Sequence, residues 1–331
     1  MYSFFIGCDI SKPFFDVSYH DGNKPVYLDQ FTNDAKGFKL LVKALKGITN
    51  CPKAKWFVCF ENTGVYSKLL LEYLISHTIA CKEENALQIL KSLGLRRGKD
   101  DKIDSKRICL YAFEKRDSIK PTSMPNKLIT KLKKLLSRRN LLIRNKVSFE
   151  NSMSEQKAVL EPRLYKMLTG QNQELLNLIK KQIKELEKEI CATINEDEQI
   201  KKNYELVQSV NGVGPIISAQ MIATTENFTC FSSARKFACF AGIAPFPNRS
   251  GNFEGKTKVS HYADKKLKTL ISNGVNAAVR WDKEMGAYYE RKIKEGKAKG
   301  CVKNAIKNKI IYRIFAVVKR QTPYVKMMNY V

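Results

Sequence analysis

Asp101 and Asp104 stand three residues apart in Lys99-Asp100-Asp101-Lys102-Ile103-Asp104-Ser105-Lys106, at the head of a run whose apolar residues Ile103, Ile108, Leu110 and Tyr111 suit a helix. On a helix the two carboxylates share one face about a turn apart, where two oxygens can hold one cation. Two further acids lie far upstream, each closing an apolar run: Asp9 after Tyr2 to Cys8, and Glu61 after Trp56 to Phe60. An acid at the end of a buried strand sits at the carboxyl edge of a sheet, the usual ligand edge of an open α/β sheet. Four hard oxygen donors gathered there repel one another unless divalent cations neutralise them, and Mg²⁺ suits such ligands best, with Mn²⁺ as an alternative. The set is that of a two-metal phosphodiester site. Each acid alone has a plainer explanation, since paired aspartates favour a helix N-terminus and strand-end acids are ordinary loop residues. The order and conjunction of the four carry the reading, in a chain where acids are scarce.

That scarcity is large. Lys and Arg number 59 against 32 Asp and Glu, a formal net charge of +27 over 331 residues. The excess predicts a polyanionic partner, nucleic acid first. A membrane surface is the weaker alternative, because no basic amphipathic anchor stands at either terminus and no apolar run reaches spanning length. The N-terminus enters a strand without a charged leader, so the expected location is the cytoplasm, at the nucleoid. Nine cysteines with no CxxC spacing read as reduced, mostly buried hydrophobes in that compartment. His20, His77 and His261 are too dispersed to form a metal cluster.

The first 120 residues alternate strands and helices. Strands are expected at Ser3 to Asp9, Phe14 to His20 and Pro25 to Phe31, with a hairpin turn at His20-Asp21-Gly22-Asn23. A helix follows over Lys36 to Lys46, capped by Asn33, then a strand over Trp56 to Phe60. A helix beginning near Tyr66, a short strand Ile79 to Lys82, a small helix Ala86 to Leu93 and the acidic-pair helix Asp101 to Phe113 complete the part. Three strands, then helix, strand, helix, strand, helix is the order of an α/β RNase H-like fold.

Three motifs now have a known counterpart. Gly7-Cys8-Asp9-Ile10-Ser11-Lys12, Glu61-Asn62-Thr63-Gly64-Val65-Tyr66 and Lys99-x-Asp101-x-x-Asp104-Ser105 resemble those of insertion-sequence transposases with a DEDD, RuvC-like domain, a group that includes the Piv invertases. In that family the last motif usually ends in Ala where Ser105 stands. The resemblance spans nearly the whole chain and implies three parts: a RuvC-like DEDD domain (1–120), an α-helical coiled-coil connector (121–200) and a mainly α C-terminal transposase domain (201–331).

The connector has its own pattern. Pro121-Thr122-Ser123-Met124-Pro125 reads as a linker, followed by Leu128, Leu132, Leu135 and Leu142 at helical spacing. A break is expected around Leu160 to Gly170, and beyond it Leu176, Ile179, Ile183, Leu186 and Ile190 make a short heptad seam. The seam serves equally an intramolecular helical hairpin or a coiled coil between chains; the resemblance favours an oligomer, a homodimer or homotetramer.

In the third part, Asn211-Gly212-Val213-Gly214-Pro215 puts a Gly-x-Gly turn before a helix. It exposes backbone N–H groups to a phosphate as a helix-hairpin-helix does, or is simply a tight connection. Phe228, Phe231, Phe237 and Phe240 read as core. Phe246 to Lys256 reads as a loop made electropositive by Arg249 and Lys256. The resemblance makes Ser250 the nucleophile of that loop, matching the Ser-Gly that follows Gly-x-x-Pro in the family. The Val259-Ser260-His261-Tyr262 stretch departs from the family's Gly-Asn before a Leu-Arg helix. From Arg280 to Arg320 the tail reads as basic and helical.

The resemblance implies a DNA transposase or site-specific recombinase. Asp9, Glu61, Asp101 and Asp104 would bind Mg²⁺, and Ser250 would form a phosphoserine intermediate in an active site composite between protomers. Gly212, Gly214, Arg249 and Lys256 would contact nucleic acid, and a bridge RNA from the element would guide both donor and target DNA. The residues themselves leave two alternatives: a RuvC-type Mg²⁺-dependent junction nuclease using water, and a non-catalytic nucleic-acid-binding protein.

Overall fold

The computed structural model describes residues 2–92, 100–124, 126–157, 159–251 and 253–325. Lys99 of the acidic motif, Leu93, Pro125 and Asn252 lie outside the described residues. The chain divides into two compact units after Met124.

The first unit is built on a five-stranded sheet of β1 (Phe4–Ile10), β2 (Phe14–His20), β3 (Pro25–Thr32), β4 (Trp56–Glu61) and β5 (Ala80–Glu84) in the order β3-β2-β1-β4-β5. β1 pairs antiparallel with β2 and parallel with β4, and β4 pairs parallel with β5. The helices are α1 (Ala35–Ile48), α2 (Val65–Ser76), α3 (Ala86–Ser92) and α4 (Asp101–Glu114). Successive strand residues face opposite sides, and the two cores separate on that rule. Phe4, Ile6, Cys8, Trp56, Val58 and Phe60 pack against α1 and α2, whereas Phe5, Phe57 and Cys59 pack against α3 and α4. The cap of α1 is Asp34, whose carboxylate accepts from the Lys36 and Gly37 N–H groups. Asn33, the expected cap, instead donates to the Ser11 and Tyr66 carbonyls, because its place one residue earlier aims it across the sheet edge.

Helix α4 lies unusually close to β1. A Cβ on Gly7 would sit 2.2 Å from the Cys109 nitrogen and 2.4 Å from the Ser105 carbonyl oxygen, so only glycine admits this approach. Ser105 is fully buried at the contact, its hydroxyl 2.7 Å from that of Ser18 on β2. A small residue is therefore required at 105, and serine gains a buried partner that alanine would lack.

The second unit opens with α5 (Lys127–Gln156) and α6 (Pro162–Asn195), which pack side by side. Leu142 of α5 meets Ile179, Ile183 and Leu186 of α6, and the Arg139 guanidinium pairs with Glu187 at 2.6 Å. The heptad seam is thus filled by the chain's own preceding helix. The break is shorter than expected: Pro162 is accepted in the first turn, where its missing N–H costs nothing, and α6 runs through Gly170 without interruption. Then come α7 (Glu198–Gln208), α8 (Pro215–Thr225) and α9 (Ala234–Phe240), a hairpin of β6 (Pro245–Ser250) and β7 (Phe253–Val259), and α10 (Lys265–Trp281), α11 (Lys283–Lys294) and α12 (Lys299–Arg320). Phe237 is fully buried in their core with Phe228 and Phe231 packed against it, while Phe240 is largely exposed. The nine cysteines are free, and four of them are buried, fewer than expected.

Candidate active site

Strand parity brings the acids together. Asp9 alternates with Gly7 and Phe5 and so shares the α4 side of the sheet; Glu61 alternates with Cys59 and Phe57 and shares the same side. β1 and β4 run in parallel with Cys8 opposite Phe60, so one step further Asp9 and Glu61 are lateral neighbours at the carboxyl ends of adjacent strands. Strand spacing sets their Cα atoms about 5 Å apart. Asp101 and Asp104 occupy the first turn of α4, which Asp100 caps by accepting from the Lys102 N–H.

The charge of this group registers on Asp9. Its carboxyl is pushed up to about 7, first by burial and then by Asp101, Asp104, Glu61 and Asp16. The three other acids singled out in the sequence all act on Asp9, so the four share one patch of negative charge. Asp104 has partial relief: Arg107, one turn on, reaches its Oδ1 at 2.7 Å. Among the described residues, no three His, Cys, Asp or Glu side chains stand in the closed arrangement of a metal cage. The donor chemistry suits Mg²⁺ or Mn²⁺: hard oxygens only, in excess negative charge, at a sheet edge.

Asp16 is the residue that sequence reasoning missed. It lies directly opposite Asp9 across β1 and β2 and is buried, holding hydrogen bonds from the Tyr27 hydroxyl at 2.8 Å and the Gln30 amide at 3.0 Å. The signal was present in β2, whose Asp16, Ser18 and His20 alternate with Phe15 and Val17 and mark a polar stripe on the face that α4 covers.

The second unit holds the remaining candidates. The stretch expected as a loop is a β-hairpin: Ser250 closes β6 opposite Phe253, next to a turn at Gly251 with φ +54°. Pro and Gly do not prevent strand formation here, because every β6 residue is exposed and a ribbon edge tolerates a missing N–H. The base of the hairpin is fastened by Arg235, which donates to the Pro245 carbonyl at 3.1 Å, and by Asn304 and Asn308, which both donate to the Ile243 carbonyl. Glu254, the acid nearest Ser250 in sequence, pairs across the strands with Arg249 at 3.1 Å, so its charge is directed to the guanidinium. Lys256 is exposed on β7.

The two glycines of the Gly-x-Gly turn differ. Gly212 has φ +83° and packs tightly, since a Cβ there would lie 2.6 Å from the Gly274 carbonyl oxygen and 2.7 Å from the Ala278 Cβ. Its presence is explained by the closeness of α10. Gly214 has open space around it and precedes α8, whose N-terminus carries no side-chain cap.

Two family models match the chain. Residues 6–161 match a family model described as transposase, of the DEDD IS110 type, and residues 204–290 match the transposase IS116/IS110/IS902 family. The pilin gene-inverting protein of Moraxella bovis is 24% identical over 98% of both chains. The transposase for insertion sequence element IS1111A of Coxiella burnetii is 30% identical over 50% of this chain and 45% of its own. An uncharacterized 42 kDa protein of insertion element IS900 from Mycobacterium paratuberculosis is 33% identical over 32% of this chain and 27% of its own.

Proposed function

Because the chain belongs to the IS116/IS110/IS902 family of transposases, we propose that this enzyme cuts and rejoins DNA at the ends of an insertion element through a covalent bond to Ser250. Asp9, Glu61, Asp101 and Asp104 hold divalent cations in this reading. The observation that carries it is the Asp9 carboxyl, raised to about 7 by burial and by the other three acids. A site so crowded with carboxylates is built for a cation. The sheet order, with its first three strands antiparallel and the next two parallel, supports an RNase H-like, RuvC-like assignment.

When bound, Mg²⁺ supplies charge neutralisation at the nonbridging oxygens of the scissile phosphate. Ser250 Oγ then forms a new P–O bond as the deoxyribose oxygen leaves, and the serine proton ends on that leaving hydroxyl. The phosphoserine ester keeps the bond energy, and attack by another strand's hydroxyl reverses the step with a new partner. The hairpin tip suits this role because Ser250 is exposed, on a ribbon that also carries the exposed Arg249 and Lys256, and meets a phosphate without displacing core residues. Gly214, at the open N-terminus of α8, offers backbone N–H groups to a second phosphate.

The net charge of +27 supports binding of a guide RNA as well as DNA. Self-association to a dimer or tetramer is supported by a second apolar stripe on α6, Leu164, Met167, Leu175 and Leu178, which share one helix face and are all substantially exposed. No described helix is long and apolar enough to cross a membrane, and we place the protein at the nucleoid.

The test combines purified protein, RNA transcribed from the flanking element, Mg²⁺ and labelled DNA carrying the element junction, resolved on a denaturing gel before and after protease. The proposal expects an RNA-dependent, protease-sensitive adduct that is absent in Ser250→Ala. Free nicks that persist in Ser250→Ala would make the chain a RuvC-type nuclease that uses water.

A further inference from the structure

Lys268 on α10 and Lys303 and Lys307 on α12 converge on one face where those helices pack together. All three are half-buried, and none forms an ion pair among the described residues. The Lys303 ammonium is steered by a hydrogen bond to the Asn276 Oδ1 at 2.9 Å, one neutral acceptor for three cations. A lysine on a surface ordinarily extends into water; half-burying three together, without a carboxylate, raises the energy of the unliganded chain. The cost registers at Lys307, whose ammonium is held below its usual range by burial and by the charges of Lys268 and Lys303.

We propose that Lys268, Lys303 and Lys307 form a docking site for the phosphodiester backbone of duplex DNA. The site is distinct from the serine hairpin and from the helix-turn glycines. Charge complementarity selects a polyanion, since three cations with no acid among them are relieved only by negative charge brought from outside. Lysine selects the backbone over the bases, because an ammonium is a point charge that accepts a phosphate from many directions and lacks the planar fork that reads base edges. Among the described residues none of the three ammoniums lies over an aromatic ring, so the triad offers no stacking platform for an unpaired strand; the bases of a duplex need none. Lys303 and Lys307 are one helical turn apart, which lets consecutive phosphates of one strand be met by consecutive lysines. The choice of DNA rests on the transposase reading above.

The experiment measures affinity of the full chain for a labelled duplex of arbitrary sequence across a salt series, with single-stranded RNA of the same length as a second probe. Wild type is run first. Binding without salt dependence would overturn the nucleic-acid function itself, whereas the remaining outcomes bear on this surface alone. Substituting Gln at each lysine should lower the slope of log K against log salt by about 0.9 for each phosphate no longer neutralised, and equally for any duplex sequence. Arg at the same positions should restore the slope. Thermal melting of Lys307→Gln should stay at or above wild type, because removing one of three mutually repelling charges relieves the fold. An unchanged duplex slope in the triple Gln variant would overturn the site, as would a loss confined to the RNA probe, which would assign the surface to RNA.

Discussion

The acidic sheet edge and the serine hairpin are built in opposite ways. Asp9 is fixed by buried neighbours on every side: its own strand, the Glu61 strand, the Asp16 strand and helix α4. Ser250 sits on a two-stranded ribbon with nearly all residues exposed, held at its base by Arg235, Asn304 and Asn308. An isolated hairpin is only marginally stable in water. Rigid placement suits groups that must confine charge at fixed separations; a loosely supported tip suits a nucleophile that must reach a phosphate carried by a large substrate.

The contrast predicts that substitutions in the two regions separate activity from stability. The largest effect is expected at the sheet edge. Asp104→Asn should reduce DNA cleavage by about a thousandfold, on the order of 4 kcal/mol, by removing one of the proposed cation ligands. Its melting temperature should change little, because the partner it loses, Arg107, stays solvent-accessible. Cleavage that survives undiminished in a gel assay would remove Asp104 from the site.

Next comes Gly7→Ala, where the added methyl group strikes the α4 backbone. A loss of about 3 kcal/mol in denaturant unfolding is expected, the size of severe overpacking. A neutral result would mean that α4 can lift from β1.

A smaller effect concerns pH. The Asp9 carboxyl has its folded pKa raised from 3.8 to about 7. Its contribution to stability is therefore fully present below pH 3.8 and is lost as pH rises through about 7. In chelator, stability should fall by about 2 kcal/mol between acid and mildly alkaline solution, after allowance for solvent screening. Asp9→Asn should flatten that profile, and Mg²⁺ should restore stability at the alkaline end. Melting curves across pH with and without Mg²⁺ check each arm.

The smallest effect belongs to the hairpin. Gly251 has φ +54°, so Gly251→Ala should cost about 1 kcal/mol locally and slow adduct formation roughly fivefold. Global melting should not move, and a large shift would show that the ribbon is part of the core after all.

These regions also differ in how much of them could be read from sequence. The strands and α-helices of the first unit were legible in sequence: β1 and β4, buried on both faces, as continuous apolar runs, and the others through turn signals and helical or alternating spacing. The grouping of Asp9, Glu61, Asp101 and Asp104 followed from strand ends and one helical turn. Asp16 escaped because its importance depends on register across the β1–β2 hairpin, a pairing that no single strand displays. Gly7 was part of a motif, yet its reason lies in the backbone of a helix nearly a hundred residues away. The serine hairpin was hidden by its composition: Pro245, Pro247, Gly251 and Gly255 signal a loop, and strands with both faces in solvent have no apolar alternation to find. The seam of α6 was legible as a seam, but its partner was not, since heptad spacing describes a stripe and says nothing of which chain covers it.

The crowding around Asp9 finally bears on how such a gene ages. Most functional residues can be lost with little consequence for folding, but Asp9, its carboxyl raised by burial and neighbouring acids, works against the fold when it is ionised. On the function proposed above, a neutral replacement at position 9 would give a chain that folds better and moves nothing. Quality control that removes unstable proteins would favour the inactive version. Only the spread of the element itself, through copies that still cut and join, keeps an aspartate there.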